Sequence, residues 1–205
     1  MNTASIIIQI YEIQTPSEAE KLIEIGVDHV GSVVVSAVSW KIPQIRQTIE
    51  LTANTQSQSS LILLFSNPDS VFRALDYYQP DIVHFCESLT YNNGARKGCM
   101  ELLQLQKNVR VRFPDIKIMR SIPIPQSGSA SRIPVIQLAR MFEPISDYFL
   151  TDTLLIEPGD AATDCQPVSG FIGITGQTCD WNAVGRLVKT SSIPVILGGG
   201  ISPDN

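Results

Sequence analysis

Short runs of Ile, Val and Leu alternate along the chain with longer stretches whose apolar positions recur every three or four residues. The first run, Ser5-Ile6-Ile7-Ile8-Gln9-Ile10-Tyr11, is nearly continuous and reads as a strand buried on both faces. Thr15-Pro16-Ser17-Glu18 reads as a helix start, with Thr15 at the N-cap, proline in the first turn and Glu18 placed for a capping box. That helix turns Ala19, Leu22, Ile23 and Ile25 inward and stops at Gly26. Further strands are expected at Val30 to Val35, Ser60 to Phe65, Pro80 to Cys86, Ile116 to Ile122, Tyr148 to Asp152 and Pro194 to Leu197. Helices are expected from Pro43 (Ile45, Ile49 and Leu51 inward), from Asn67-Pro68-Asp69 to Tyr78, and over Gly98 to Phe113, Ile133 to Phe142 and Trp181 to Lys189, the last packed by Trp181 and Leu187. Strand and helix alternate at about 25 to 30 residues per unit, the rhythm of parallel strands joined by helical crossovers.

Seven such units point to an α/β fold of the (β/α)8-barrel type, one domain over 1–205, ending after the seventh strand. No GxGxxG follows the first strand, which speaks against a dinucleotide-binding open sheet. A barrel without its eighth strand exposes two unpaired edges, so the sequence is expected to be part of a longer gene product.

The chain has 205 residues, enough for a sizeable single core. Its net charge of −5 argues against a nucleic-acid or anionic-membrane partner. The densest basic stretch, Lys107 to Arg120, reads as a solvated helix end. Cys86, Cys99, Cys165 and Cys179 show no CxxC spacing, and His29 and His84 are the only histidines, so no metal site is expected. Scattered thiols, no signal-peptide pattern and no apolar run of membrane-spanning length together suggest a soluble cytoplasmic protein, monomer or homodimer.

In a (β/α)8 barrel the working residues stand at the carboxyl ends of the strands. Those ends offer Tyr11 and Glu12, Cys86 and Glu87, Asp152, the Gly173-Ile174-Thr175-Gly176 loop, and Gly198-Gly199-Gly200. Asp152, an acid at the mouth of an apolar strand, suits a general acid whose pKa is raised by desolvation; it also suits a loop cap. Cys86 reads as a nucleophile or base, or as a small buried hydrophobe. His84 shares a face with Cys86 and reads as a core histidine. The triple glycine ends a buried strand ahead of Ile201-Ser202-Pro203-Asp204-Asn205, where a helix would start, and suits a phosphate. The loop from Thr153 to Ile172 is long enough to be functional.

Three stretches carry a family likeness: Asp147 to Thr153, Gly173-Ile174-Thr175-Gly176-Gln177-Thr178-Cys179-Asp180-Trp181, and Pro194 to Asn205. They resemble, in turn, the strand ending in aspartate, the Gly-Gly-Thr-Gly loop leading to Phe-Asp-Trp, and the Leu-Ala-Gly-Gly-Leu-x-Pro-x-Asn segment of phosphoribosylanthranilate isomerases of tryptophan biosynthesis. A weaker likeness over Gln9 to Ala19 and Ile25 to Val34 extends it over most of the chain. The resemblance implies an Amadori rearrangement of a phosphorylated aminoribose without a cofactor: an acid protonates the ring oxygen and a base removes the C2 proton. It implies Asp152 as the acid, Gly176, Gly198, Gly199 and Gly200 as the phosphate site, and Lys41 and Thr175 at the substrate.

The departures fall on the chemistry. The family's first strand ends in Lys-x-Cys-Gly, its cysteine serving as base; the matching residues here are Gln9, Ile10, Tyr11 and Glu12. A phenol with a reference pKa near 10 is a weak base at neutral pH. Ser39-Trp40-Lys41 stands at the family's anthranilate-binding arginine, and Lys41 supplies charge without a bidentate fork. His84-Phe85-Cys86-Glu87 replaces Gln-Leu-His-Gly, and Ile174 replaces a glycine. The expected activities are therefore an isomerase using Tyr11, Glu12, Cys86 or Glu87 as substitute base, a relative acting on another phosphorylated sugar, or a non-catalytic barrel binding a phospho-ligand or a protein partner.

Overall fold

The structure is a computed structural model that describes residues 6–91, 94–95, 99–127, 133–156 and 166–202. The chain divides into two units, Met1–His84 with Phe113–Lys117 and Phe85–Arg112 with Ile118–Asn205. Cys165 and Pro203 to Asn205 lie outside the described residues, as does much of the long loop before Ile172.

In the first unit the chain runs β1 (Gln9–Ile10), α1 (Pro16–Glu24), β2 (His29–Val34), α2 (Pro43–Thr52), β3 (Gln58–Leu63), α3 (Pro68–Tyr78) and β4 (Ile82–Phe85). Each strand pairs in parallel with the next, with Gln9 opposite His29, His29 opposite Gln58 and Ser60 opposite Ile82. The helix starts form where local chemistry satisfies their free N–H groups. The Glu18 carboxylate accepts from the Thr15 backbone N–H at 3.0 Å and from its hydroxyl at 2.8 Å. The Asn67 side-chain oxygen accepts from the Ser70 N–H at 3.1 Å. Ala19, Val27 and Val30 form a buried cluster, with Leu22, Ile23 and Leu51 packed against it. The expectation for Ile25 is corrected: it lies at the C-cap, where the helix ends, and is 74% exposed.

The first strand also departs from expectation. Ile6, Ile8 and Ile10 are exposed, so the run is not buried on both faces. These residues alternate along the strand and share one face. Among the described residues β1 hydrogen-bonds β2 on one side, and the Ile8 carbonyl accepts from the Asp28 and His29 N–H groups.

The second unit contains a small antiparallel hairpin, β5 (Thr90–Tyr91) with β6 (Gly94–Ala95), then α4 (Cys99–Arg112), β7 (Lys117–Pro125), α5 (Val135–Phe142), a 3-10 turn (Glu143–Ile145), β8 (Tyr148–Leu154), α6 (Trp181–Thr190) and β9 (Val195–Leu197). The sequence pattern gave no sign of the hairpin. β7 pairs in parallel with β8, and β8 with β9. β7 runs three residues past the expected end, through Pro123 and Pro125, which pair with Asp152 and Leu154. Phe142, Phe149, Leu138, Ala183 and Leu187 centre the core, while Trp181, expected to pack, is 40% exposed. Among the described residues no helix is long and apolar enough to cross a membrane.

Arg120 overturns the expectation of a solvated basic stretch. It lies in β7, fully buried, and donates from Nη1 to Glu87 at 2.6 Å and from Nε to Gln106 at 2.9 Å. Its guanidinium stacks on Phe85 and Phe142, 5.0 and 4.8 Å from the ring centroids. Gln106 in turn donates to Ser146 Oγ and the Ile145 carbonyl. A buried ion pair of this kind resists loss of one partner more than loss of both. Arg120→Met should cost about 3–5 kcal/mol by stranding the Glu87 carboxylate, and Glu87→Gln/Arg120→Met should recover much of it. Urea unfolding midpoints check this; a double variant no more stable than the single one would show that the ion pair is not what holds the network.

Candidate functional site

β8 carries alternating roles. Phe149, Thr151 and Thr153 are fully buried, and Asp152, on the opposite side of the strand, remains partly accessible. The two threonines hold neighbouring loops: Thr153 Oγ1 donates to the Gln177 carbonyl at 2.6 Å, and Thr151 Oγ1 accepts from the Gly198 N–H at 3.2 Å.

Glycines let backbone come this close. A Cβ on Gly198 would stand 2.5 Å from the Thr151 carbonyl oxygen. On Gly199 it would stand 2.6 Å from Thr153 Oγ1, and on Gly200 2.6 Å from the Gln177 carbonyl carbon. Gly173, at φ 113, lies directly against the acid, where a Cβ would be 2.6 Å from Asp152 Oδ2. Gly198 to Gly200 therefore pack against β8 and the 177–178 loop. Gly176, at φ 63, faces open space, and Thr175 Oγ1 accepts from the Gln177 N–H at 3.2 Å.

Burial raises the Asp152 carboxyl to a pKa of about 6, offset in part by the Thr153 N–H, which donates to Oδ1 at 2.8 Å. Burial likewise pushes the Cys86 thiol well above its ordinary range, and the Glu87 charge adds to this. Cys179 rises for the same first reason, burial. Cys86 is thus a protonated thiol at neutral pH, and Glu87 is tied to Arg120. The Ser88 N–H donates to the Gly170 carbonyl and the Ile172 N–H to the Cys86 carbonyl, fixing this segment against the loop before Gly173.

In the first unit, Tyr11 Oη lies 2.6 Å from His84 Nδ1 and 3.2 Å from Ser60 Oγ. His84 and Ser60 are buried and Tyr11 is partly exposed. Glu12 is exposed, in the left-handed region at φ 65. Lys41 is also exposed, its ammonium 4.8 Å from the Tyr77 ring centroid, and Arg46 stands at the same distance. His29 is buried with Nδ1 2.9 Å from Gln9 Oε1, and burial lowers its pKa. Among the described residues no group of three His, Cys, Asp or Glu side chains could hold a metal ion.

The sequence pattern singled out Asp152 and the glycines but missed Thr151, Thr153 and Arg120. The Thr-x-Thr bracket around Asp152 was a usable signal: polar side chains in a buried strand need fixed partners. Arg120 carried no such signal, since its partners Glu87 and Gln106 are distant in sequence.

No protein-family model matches the chain. Two curated proteins of Methanosarcina mazei do. N-(5'-phosphoribosyl)anthranilate isomerase 2 is 36% identical over 98 residues, 48% of this chain and 36% of that protein. N-(5'-phosphoribosyl)anthranilate isomerase 1 is 24% identical over 72% of this chain and 55% of that protein. The chain thus spans between a third and just over half the length of these two relatives. The enzyme of the same name from Methanocella arvoryzae is 24% identical over 93% of this chain and 76% of its own length. Among solved structures, phosphoribosyl anthranilate isomerase from Thermotoga maritima aligns over 98% of this chain and 80% of its own, with TM-score 0.62 and 15% identity. The corresponding Pyrococcus furiosus structure gives TM-score 0.60 and 18% identity over 98% of this chain and 80% of its own. The fold is therefore that of a (β/α)8 barrel, with β9 as its seventh parallel strand.

The Asp152 shift has a consequence for stability. Its folded pKa of about 6 lies above the ordinary aspartate value of 3.8. The folded state therefore holds this proton more tightly, and the carboxylate destabilises the fold above pH 6. The penalty fades as pH falls through 6 toward 3.8. Asp152→Asn should then raise stability at pH 7.5 by roughly 3 kcal/mol and change little at pH 3.5. Thermal melts of both forms across that range check it; an equal effect at both pH values would contradict a desolvated acid.

Proposed function

We propose that this chain, a divergent homologue of the phosphoribosylanthranilate isomerases, performs acid–base isomerisation of a phosphorylated aminosugar with Asp152 as general acid. The observation that carries this reading is the Asp152 carboxyl, held at a pKa of about 6 at the end of β8 with Gly173 backbone against it. An acid of that strength is partly protonated near neutral pH and gives up its proton readily. In the forward step Asp152 protonates the furanose ring oxygen as the C1–O bond breaks, leaving a C1=N iminium. Loss of the C2 proton then forms the enolamine, which tautomerises to the 1-amino-2-ketose.

A solved phosphoribosyl anthranilate isomerase complex contains reduced 1-(o-carboxyphenylamino)-1-deoxyribulose 5-phosphate, and a ligand of that class fits this reading. We assign its phosphate to the glycine-rich segments, Gly176 with Gly198, Gly199 and Gly200. The supporting feature is backbone in left-handed conformation at Gly176, Gly199 and Gly200, a conformation found where main chain lines a concave anion site. Thr175 lies in the same segment. Lys41, drawn to the Tyr77 ring, takes no part in this assignment.

A second reading has its own support. Cys86 is a buried, protonated thiol and Glu87 is held by Arg120, so neither substitutes readily for the family's base. A binding protein that keeps the phospho-ligand without turning it over would show the same features.

Complementation of a tryptophan auxotroph lacking the isomerase separates the two. Growth supported by the chain, and lost in Asp152→Asn with a fall in kcat of at least about 100-fold, is the expected result. No growth from folded protein, combined with Asp152→Asn that still binds the reduced ribulose phosphate as the wild type does, would favour the binding reading.

A further inference from the structure

Glu87 is attached to the second unit twice, once through its side chain and once through its backbone. Its buried carboxylate accepts from Arg120 Nη1 at 2.6 Å. Arg120 is itself fixed, by the Nε bond to Gln106 Oε1 at 2.9 Å and by the Phe85 and Phe142 rings. The Glu87 backbone forms an antiparallel bridge with Phe171. On either side of it the Ser88 N–H donates to the Gly170 carbonyl at 2.8 Å and the Ile172 N–H to the Cys86 carbonyl at 2.9 Å. The next residue, Gly173, lies against the acid, where a Cβ would be 2.6 Å from Asp152 Oδ2. Residues 170–173 thus form a strap, tied at one end to the backbone of the ion pair and laid at the other on Asp152. Beyond the strap, Thr153 Oγ1 donates to the Gln177 carbonyl, which clips the chain to the strand that carries the acid.

A buried ion pair is a poor source of stability, because apolar residues of the same volume often do as well; its best-attested use is to fix an arrangement. Among the described residues Glu87 Oε1 and Arg120 Nη2 have no hydrogen-bond partner, so the carboxylate is compensated at one oxygen and in one position. A shift of the backbone at 87 would draw the carboxylate away from the guanidinium where no water replaces it. The ion pair therefore keeps 86–88 in register, and the two strap bonds pass that register to Gly173.

We propose that Glu87 and Arg120 are positioning residues for Asp152, holding the 170–173 strap against its carboxyl and keeping water from Oδ2. The catalytic meaning of this anchor rests on the general-acid reading of Asp152; the placement of the carboxyl does not. Burial shifts that carboxyl, offset by the Thr153 N–H, so the pair reaches it through the backbone. The titratable groups that sense the Asp152 charge are Cys86 and Cys179, both pushed up by burial and both protonated at neutral pH.

Titration of the Asp152 side-chain carboxyl by 13C NMR tests this without any substrate. In Glu87→Gln/Arg120→Met the acid dissociation constant of Asp152 should rise at least about tenfold, its pKa falling from about 6 toward the ordinary 3.8. Amide exchange at Ile172 should quicken by about tenfold or more in the same variant. Ser88→Pro keeps the ion pair, removes one of the two strap bonds, and should shift the titration the same way by a smaller amount. Leu138→Ala, in the core of the same unit, should lower the melting temperature and leave the Asp152 titration unchanged. An unchanged titration in a folded pair variant or a folded Ser88→Pro, or an equal shift in Leu138→Ala, would overturn the anchor and leave the general-acid reading standing. A shifted titration in a chain that does not turn over N-(5'-phosphoribosyl)anthranilate would support the anchor and count against the general-acid reading.

Discussion

Close approach of backbone to β8 is the constraint on which the second unit depends. Thr151 and Thr153 point to one side of that strand and grip the Gly198 and Gln177 segments, while Asp152 points to the other and meets Gly173. Any side chain at 173, 198, 199 or 200 would stand within 2.6 Å of these atoms. The glycines so closely tied to β8 therefore work first as packing elements. Their conformations are fixed by that packing on the strand. This also accounts for the acid. With Gly173 backbone against one oxygen and the Thr153 N–H on the other, the carboxyl loses water from one side and gains a single donor in return. Desolvation outweighs that one hydrogen bond, and the pKa rises.

Two buried polar systems illustrate different uses of the same kind of group. Arg120 and Glu87 are sealed between aromatic rings and helix α4, paired with each other, and inaccessible. Their charges hold an arrangement, with Glu87 Oε1 and Arg120 Nη2 left buried without a hydrogen-bond partner among the described residues. Tyr11 and His84 are paired at a similar distance, but one member reaches the surface.

Much of this was legible beforehand, and the failures have physical causes. The strand–helix alternation, the Thr15–Glu18 and Asn67 helix starts and the placement of Asp152 followed from local patterns that need no distant partner. The burial of Arg120 depended on Glu87 and Gln106, far away in sequence, and a basic residue beside Lys117 looked solvated. The first strand looked buried because three isoleucines in succession satisfy that pattern, yet two of them, Ile6 and Ile8, are exposed. His84 reads as a core histidine, and it is buried, with its Nδ1 hydrogen-bonded to the Tyr11 phenol.

The departures from the family pattern leave a backbone trace of their own. Glu12 and Ile174 stand where the resemblance places glycines, and both keep the left-handed conformation, at φ 65 and 61. For a glutamate this costs little more than a turn requires, but for a β-branched isoleucine it is unfavourable by about 1–2 kcal/mol. The main chain at each position is set by its neighbours. Before Glu12 the Tyr11 ring lies on Gly31, and after it the Ile13 N–H donates to the Gly31 carbonyl. Before Ile174 the Gly173 backbone lies against Asp152. Those contacts fix the path of the chain at each position, whatever residue stands there. Ile174 is 67% exposed and gains no packing that would offset its strain. The loop beside Asp152 therefore holds a conformation that glycine would adopt at lower cost, because the packing of Gly173 on the acid requires it.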